Sequence, residues 1–145
     1  MQSEIKYEVL AESSEKVVGE LNSLLSQLSK TGRQVTEDDL TGLIGTMTEL
    51  LVAKDNDRIV GSVTVAYVPQ MGRVKAWIDD LVVDQSYRGQ GIARNLMEMS
   101  IDQAKKHKCQ NLNLTSGDDR SAAHGFYESM GFRKRETRVF RLDLK

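Results

Sequence analysis

Residues 82–94 read Val82-Val83-Asp84-Gln85-Ser86-Tyr87-Arg88-Gly89-Gln90-Gly91-Ile92-Ala93-Arg94. The end of an apolar strand runs into a glycine-containing loop and then into an amphipathic helix predicted from Ile92 to about Lys108. Gly89 and Gly91 have no Cβ atom, so a ligand can approach the backbone closely. The first amides of the helix are unpaired and carry the positive end of its dipole. The stretch therefore predicts a binding site for a phosphate or diphosphate.

Two common phosphate-binding motifs do not fit this loop. A Walker A motif ends in Gly-Lys-Ser/Thr, and no such pair follows the glycines here. A Rossmann fingerprint needs a third glycine where Arg94 stands, and it belongs to the first strand and helix of its sheet. Two glycines alone also fit a tight turn that only begins a helix, so the loop by itself leaves both interpretations open.

The elements on either side of the loop predict a mixed α/β sheet. The predicted order is β-α-α-β-β-β-α-β-α-β, with a strand-helix-strand unit near residues 74–115 that implies one parallel pair. Thr36 is predicted to cap the second helix, and Gly131 to end the last one in a left-handed conformation. The predicted strands are 5–10, 49–54, 58–68, 74–83, 111–115 and 132–144.

Three segments carry a resemblance to a known family. They are Ile78-Asp79-Asp80-Leu81-Val82-Val83, Arg88-Gly89-Gln90-Gly91-Ile92-Ala93 and Arg120-Ser121-Ala122-Ala123-His124-Gly125-Phe126-Tyr127-Glu128-Ser129-Met130-Gly131-Phe132. The first is similar to the fourth strand of the Gcn5-related N-acetyltransferase (GNAT) superfamily. The second resembles its Arg/Gln-x-x-Gly-x-Gly/Ala signature, and the third its Ala-x-x-Phe/Leu-Tyr-x-x-x-Gly-Phe motif. Their order and spacing also match.

The resemblance implies a fold and a cofactor. The fold is a mixed sheet that splays between its fourth and fifth strands and is flanked by about four helices, with acetyl-coenzyme A in the cleft. The pantetheine arm would pair with Leu81, Val82 and Val83. The diphosphate would lie on the loop and the first turn of the helix, that is, on Arg88, Gly89, Gln90, Gly91, Ile92, Ala93 and Arg94. The chemistry of the loop and the resemblance to the family therefore both predict a binding site for an anion.

Tyr127 is the general acid that the resemblance implies. In this family an amine attacks the thioester directly, and the departing thiolate must be protonated or stabilised. The acidity of a phenol is reasonably matched to that of a thiol. Without the motif, Phe126 and Tyr127 also fit an ordinary pair of core aromatic residues on a short helix.

Asp79 and Asp80 are adjacent carboxylates within an otherwise apolar strand. Neighbouring strand residues point to opposite faces, so the two share one environment only if a bulge intervenes. Because an unpartnered buried carboxylate is costly, at least one should face a polar cleft. The family often has an acidic residue here that binds or deprotonates the amine. In this chain Asp79 is favoured over Asp80 for that role. Otherwise one faces solvent and the other accepts backbone hydrogen bonds.

One position departs from the family pattern. Many members have Asn where Arg120 stands, and that Asn often touches the cofactor arm. The Asn role does not transfer to Arg120, which could bind the cofactor's phosphate, a substrate anion or nothing. Cys109 is expected to be a small core residue, since no base is paired with it.

Composition narrows the function classes. The chain has 145 residues, which predicts a single domain over 1–145, and the resemblance implies that this is an N-acetyltransferase domain. The net charge of −1 disfavours nucleic-acid binding. One cysteine and two histidines predict neither a disulfide nor a metal site. The lack of a leader or membrane span favours a cytoplasmic protein. The resemblance implies an acetyltransferase for a polyamine, amino sugar or aminoalkylphosphonate. Its alternatives are an acetyltransferase for peptide or protein N-termini and a non-catalytic acyl-CoA sensor. A homodimer is plausible from the family.

Overall fold

A computed structural model describes residues 4–28, 31–45, 47–116 and 121–145. The chain divides into two compact units, Met1–Leu114 and Thr115–Lys145. The first unit holds a sheet and three α-helices, and the second holds one α-helix among its described residues. The expected single acetyltransferase domain over 1–145 stays a prediction.

The elements follow the predicted order up to the last helix. In the first unit they are β1 (Ile5–Val9), α1 (Glu15–Leu28), α2 (Glu37–Leu43), β2 (Thr48–Asp55), β3 (Arg58–Gln70), β4 (Arg73–Val83), a 3-10 helix (Gln85–Tyr87), α3 (Ile92–Lys106) and β5 (Asn111–Asn113). The second unit contributes α4 (Ser121–Ser129).

The sheet is mixed and opens between β4 and β5, as predicted. Its strand order is β1-β2-β3-β4-β5, with three antiparallel pairs followed by the parallel pair β4–β5. β5 pairs only with Lys75, Ala76 and Trp77, whereas β4 runs on to Val83. Within the described residues, the β5-facing edge of β4 therefore has no strand beside it from Ile78 onward.

Local caps fix the two helices that precede the sheet's long hairpin. Thr36 and Asp39 form a capping box, in which the Asp39 amide donates to Thr36 Oγ1 and the Thr36 amide donates to Asp39 Oδ2. The Thr36 hydrogen bonds to the Asp39 carboxylate hold its pKa below the usual range. Ser14 Oγ accepts from the Val17 amide at 3.2 Å in the first turn of α1. The Thr36 cap was predicted from the sequence.

α3 is fixed against the sheet at both ends. At its start, a Cβ on Gly61 of β3 would lie 3.1 Å from Ile92 Cγ2 and 3.3 Å from Leu96 Cδ1, so glycine permits this close approach. At its end, Gln103 Nε2 donates to both carboxylate oxygens of Glu49 on β2, at 3.1 and 3.0 Å. These contacts hold α3, and with it the loop that precedes it, against the sheet.

The predicted last strand is wrong. Residues 132–145 form no strand, and residues 133–145 are exposed, including Phe140, Leu142 and Leu144. Their alternation with charged residues is typical of a strand with one apolar face. Alternation defines which face would be buried, but a strand also needs a hydrogen-bonded partner, and this segment has none in the described chain.

No helix in the described segments is both long enough and apolar enough to cross a membrane.

Candidate active site

The glycine loop has the geometry of an open anion site. Gly89 and Gly91 have φ values of +80° and +81°, in the left-handed region that favours glycine. Gly91 is the N-cap of α3, and no side chain caps this end. A Cβ at either glycine would meet nothing within 4 Å. The space beside both glycines is therefore open, and no side chain competes with an anion for the unpaired amides at the start of α3.

The loop is anchored from a distant turn. The Tyr87 hydroxyl donates to Asp55 Oδ2 at 2.5 Å, and this bond is the main cause of the raised pKa of Tyr87. The Arg58 guanidinium lies 5.6 Å from the centre of the Tyr87 ring. Asp55 and Arg58 could not be predicted as partners of Tyr87 from the sequence, because residues about thirty positions away leave no local signal.

The end of β4 presents backbone groups to its open edge. The Asp84 amide donates to the Val60 carbonyl at 2.8 Å, so the amide and carbonyl of Val83 point away from β3. That Val83 carbonyl accepts from Arg88 Nε at 3.3 Å, which holds the first residue of the loop against the strand. Val82 and Val83 are buried and Leu81 is half-buried. Contact of these three residues with a pantetheine arm stays a prediction.

A bulge in β4 carries the two carboxylates. Asp79 pairs with Thr64 and Val82 pairs with Ser62, so two residues of β4 stand opposite one residue of β3. Asp80 lies within the bulge at φ +55°. This is the irregularity that two adjacent carboxylates require in order to share one environment.

Arg33, in the loop between α1 and α2, forms an ion pair with one of these carboxylates, Asp80. Its Nη2 lies 2.6 Å from Asp80 Oδ1. Asp79 is an exposed residue of β4, but partial burial of its carboxyl group and the nearby Asp80 charge raise its pKa, and the positive charge of Arg33 opposes that shift. Arg33 could not be predicted as a partner of Asp80 from the sequence, because it lies 47 residues away and belongs to no motif.

Asp79→Asn is expected to change stability in a pH-dependent way. Because the folded-state pKa of Asp79 is raised, the stability contributed by its protonated form is complete below the unfolded value of about 3.9 and is lost as the pH rises through the folded value. The variant should therefore unfold at a higher temperature than the unsubstituted protein at pH 7, and the gain should vanish near pH 3. Thermal unfolding across that range measures it, and an equal gain at both ends would contradict the assignment.

In the second unit, α4 places Tyr127 within an aromatic cluster. The ring centre of Tyr127 lies 5.5 Å from that of Phe126 and 6.1 Å from that of Phe132. The Phe132 amide donates to the Tyr127 carbonyl at 3.1 Å, and the Gly131 amide to the Glu128 carbonyl at 3.0 Å. With φ +97° at Gly131, this is a Schellman motif, and it confirms the predicted left-handed cap.

The remaining candidates are placed as follows. Arg120 lies outside the described residues. His124 on α4 is half-buried. Cys109 is half-buried, and burial raises the pKa of its thiol, which disfavours a nucleophilic role. The described residues hold no group of three or more His, Cys, Asp or Glu side chains suited to a metal ion.

The chain is similar to known acetyltransferases. The model of the acetyltransferase (GNAT) family matches residues 20–132, so it spans both units. Glucosamine 6-phosphate N-acetyltransferase of Trypanosoma brucei brucei is 34% identical over 109 residues, which cover 73% of this chain and 71% of that protein. N-alpha-acetyltransferase 30 of Schizosaccharomyces pombe is 39% identical over 82 residues, which cover 56% of this chain and 55% of that protein.

The fold also recurs in solved structures. One is an aminoglycoside acetyltransferase from an uncultured soil metagenomic sample, with a TM-score of 0.85 and 23% identity, covering 97% of each chain. At that identity the likeness concerns the fold alone. The chain spans about half or less of the length of the N-alpha-acetyltransferase 30 proteins that it matches.

Proposed function

Since this chain belongs to the acetyltransferase (GNAT) family, we propose that it transfers an acetyl group from acetyl-coenzyme A to a primary amine of a small metabolite. The transfer is direct, within a ternary complex. One observation carries this proposal: the open anion site at Gly89 and Gly91 lies at the end of the same strand whose bulge holds Asp79 and Asp80. A site for a diphosphate and a site for an ammonium group thus share one strand.

The residues of the loop suit coenzyme A. Glycines at positive φ, an uncapped helix start and open space in front of both fit a diphosphate, with Arg88, Gln90, Ile92, Ala93 and Arg94 completing the loop and first turn. Leu81, Val82 and Val83 offer a strand edge to the pantetheine arm. When bound, the coenzyme supplies an activated acetyl thioester.

Two kinds of side chain would handle protons. Asp79 and Asp80 bind the acceptor's ammonium, and one of them accepts a proton from it directly or through water. Asp79 is favoured as the proton acceptor, because its raised pKa lies nearer to that of a useful base. Tyr127 donates its Oη proton to the departing thiolate, which leaves as the thiol, and the tyrosinate then regains a proton from solvent.

The acceptor has a second candidate. The 39% identity to N-alpha-acetyltransferase 30 of Schizosaccharomyces pombe favours the amino terminus of a peptide or protein. The 34% identity to a glucosamine 6-phosphate N-acetyltransferase favours a small phosphorylated amine. We place the small amine first, because the latter match covers more of both chains.

Location and assembly belong to the same proposal. A cytoplasmic location agrees with the single cysteine. In a homodimer, the second copy would cover exposed apolar side chains near the carboxyl terminus, which are Val139, Phe140, Leu142 and Leu144.

Calorimetry with acetyl-coenzyme A, followed by a thiol-release assay, tests the function. The acceptor panel is polyamines, amino sugars and their phosphates, aminoalkylphosphonates and short peptides. Binding together with amine-dependent thiol release on a small amine supports the proposal, and release on peptides alone supports the second candidate. Binding without release on any acceptor would favour a sensor, and absence of binding would contradict both acetyltransferase candidates.

A further inference from the structure

We propose that Arg33 selects the acceptor, favouring an amine that carries an anionic group over a diamine. The inference rests on the proposed function, because it requires the acceptor's ammonium to lie at Asp79 and Asp80. It concerns a residue outside all three of the motifs that identify the family.

The backbone close to Arg33 is held in place by hydrogen bonds to α1. Two residues further along the same loop, Val35 is bonded on both sides to one side chain of α1. The Val35 amide donates to Asn22 Oδ1 at 2.8 Å, and Asn22 Nδ2 donates to the Val35 carbonyl at 3.0 Å. These paired bonds hold the loop to α1, and this loop brings Arg33 to the bulge of β4.

The contact between Arg33 and Asp80 leaves room for a second anion. It joins one guanidinium nitrogen, Nη2, to one carboxylate oxygen, Oδ1, at 2.6 Å. The Arg33 side chain is 52% exposed and that of Asp80 is 38% exposed. A guanidinium has five N–H donors in a planar fork, so Arg33 can keep Asp80 and still bind a phosphate or carboxylate on an exposed edge.

The charges of the cluster point to the same class of acceptor. Two carboxylates and one guanidinium leave a formal charge of −1, which one ammonium group neutralises. A second ammonium on the acceptor would meet the guanidinium of Arg33 and be repelled, whereas an anionic group would be attracted. Of the acceptors that the sequence leaves open, polyamines are therefore disfavoured, and phosphorylated or phosphonate-bearing amines are favoured.

The test compares two acceptors of similar length, 2-aminoethyl phosphate and 1,3-diaminopropane. Both the dissociation constant and kcat/KM are measured, in the presence of coenzyme A and acetyl-coenzyme A respectively. The variant is Arg33→Gln, which keeps a polar side chain but removes the charge. The matched control is Arg73→Gln, at the start of β4, where the arginine contacts Gln70 and Gln110.

The unsubstituted protein should prefer the phosphate-bearing amine by about tenfold or more, and Arg33→Gln should reduce that preference by about tenfold. Arg73→Gln should retain it. An unchanged preference in Arg33→Gln, or a preference of the unsubstituted protein for the diamine, would overturn the inference, as would failure to bind the phosphate-bearing amine. Binding that depends on Arg33 without any turnover would refute only the proposed acetyl transfer.

Discussion

Tyr127→Phe should lower kcat by about 10²–10⁴-fold, the usual contribution of a general acid, and leave the affinity for acetyl-coenzyme A unchanged. The substitution removes only the hydroxyl. The ring keeps its contacts with Phe126 and Phe132, and the backbone bonds that end α4 do not involve the side chain. The loss would therefore report the proton on Oη and not the packing of the helix.

The matched control for this experiment is Tyr7→Phe. Tyr7 is a half-buried tyrosine on β1 whose hydroxyl accepts from Asn95 Nδ2 at 2.9 Å, and it has no assigned role in the chemistry. It should retain most of the turnover. Steady-state kinetics and calorimetry with acetyl-coenzyme A measure both variants. Unchanged turnover in Tyr127→Phe would remove the acid role and revive the interpretation of Tyr127 as a core aromatic residue.

Gly91→Ala should raise the dissociation constant of acetyl-coenzyme A by about tenfold or more. Alanine at φ +81° costs about 1–2 kcal/mol, and a change of φ that relieved this strain would turn the first amides of α3 away from their present positions. The added Cβ also enters the open space in front of the loop, where the diphosphate would lie. Both effects act on the same binding step.

Gly72→Ala separates backbone strain from ligand binding. Gly72, in the turn between β3 and β4, also has φ +81° and open space around a Cβ. The two variants should therefore lose similar amounts of thermal stability, whereas only Gly91→Ala should weaken binding of the coenzyme. Equal affinity in both variants, measured by calorimetry, would show that the loop is only a helix start.

Features set by local sequence could be predicted. The capping box of Thr36 and Asp39, the glycine loop before α3 and the left-handed Gly131 each depend on residues within about five positions of one another. Hydrophobic spacing likewise predicted α3. These patterns act through neighbouring backbone groups, so one segment contains the whole cause.

Features set by distant pairs could not be predicted. The contacts of Arg33 with Asp80 and of Tyr87 with Asp55 join residues 47 and 32 positions apart, and nothing in either segment specifies its partner. A bulge near Asp79 and Asp80 was foreseen only as a condition for the two carboxylates to share an environment. The strand expected at 132–144 was wrong for a related reason. Its local pattern is typical of a strand, but the pattern does not supply the neighbouring strand with which it would form hydrogen bonds.

The most direct test of the proposed acetyl transfer is the stoichiometry of its products. The protein is incubated with acetyl-coenzyme A and 2-aminoethyl phosphate, the free thiol is titrated, and the amine is analysed by mass spectrometry. Direct acetyl transfer predicts one acetylated amine for each thiol released, with both products falling together in Tyr127→Phe. Thiol release without an acetylated amine, or a yield that Tyr127→Phe leaves unchanged, would contradict it.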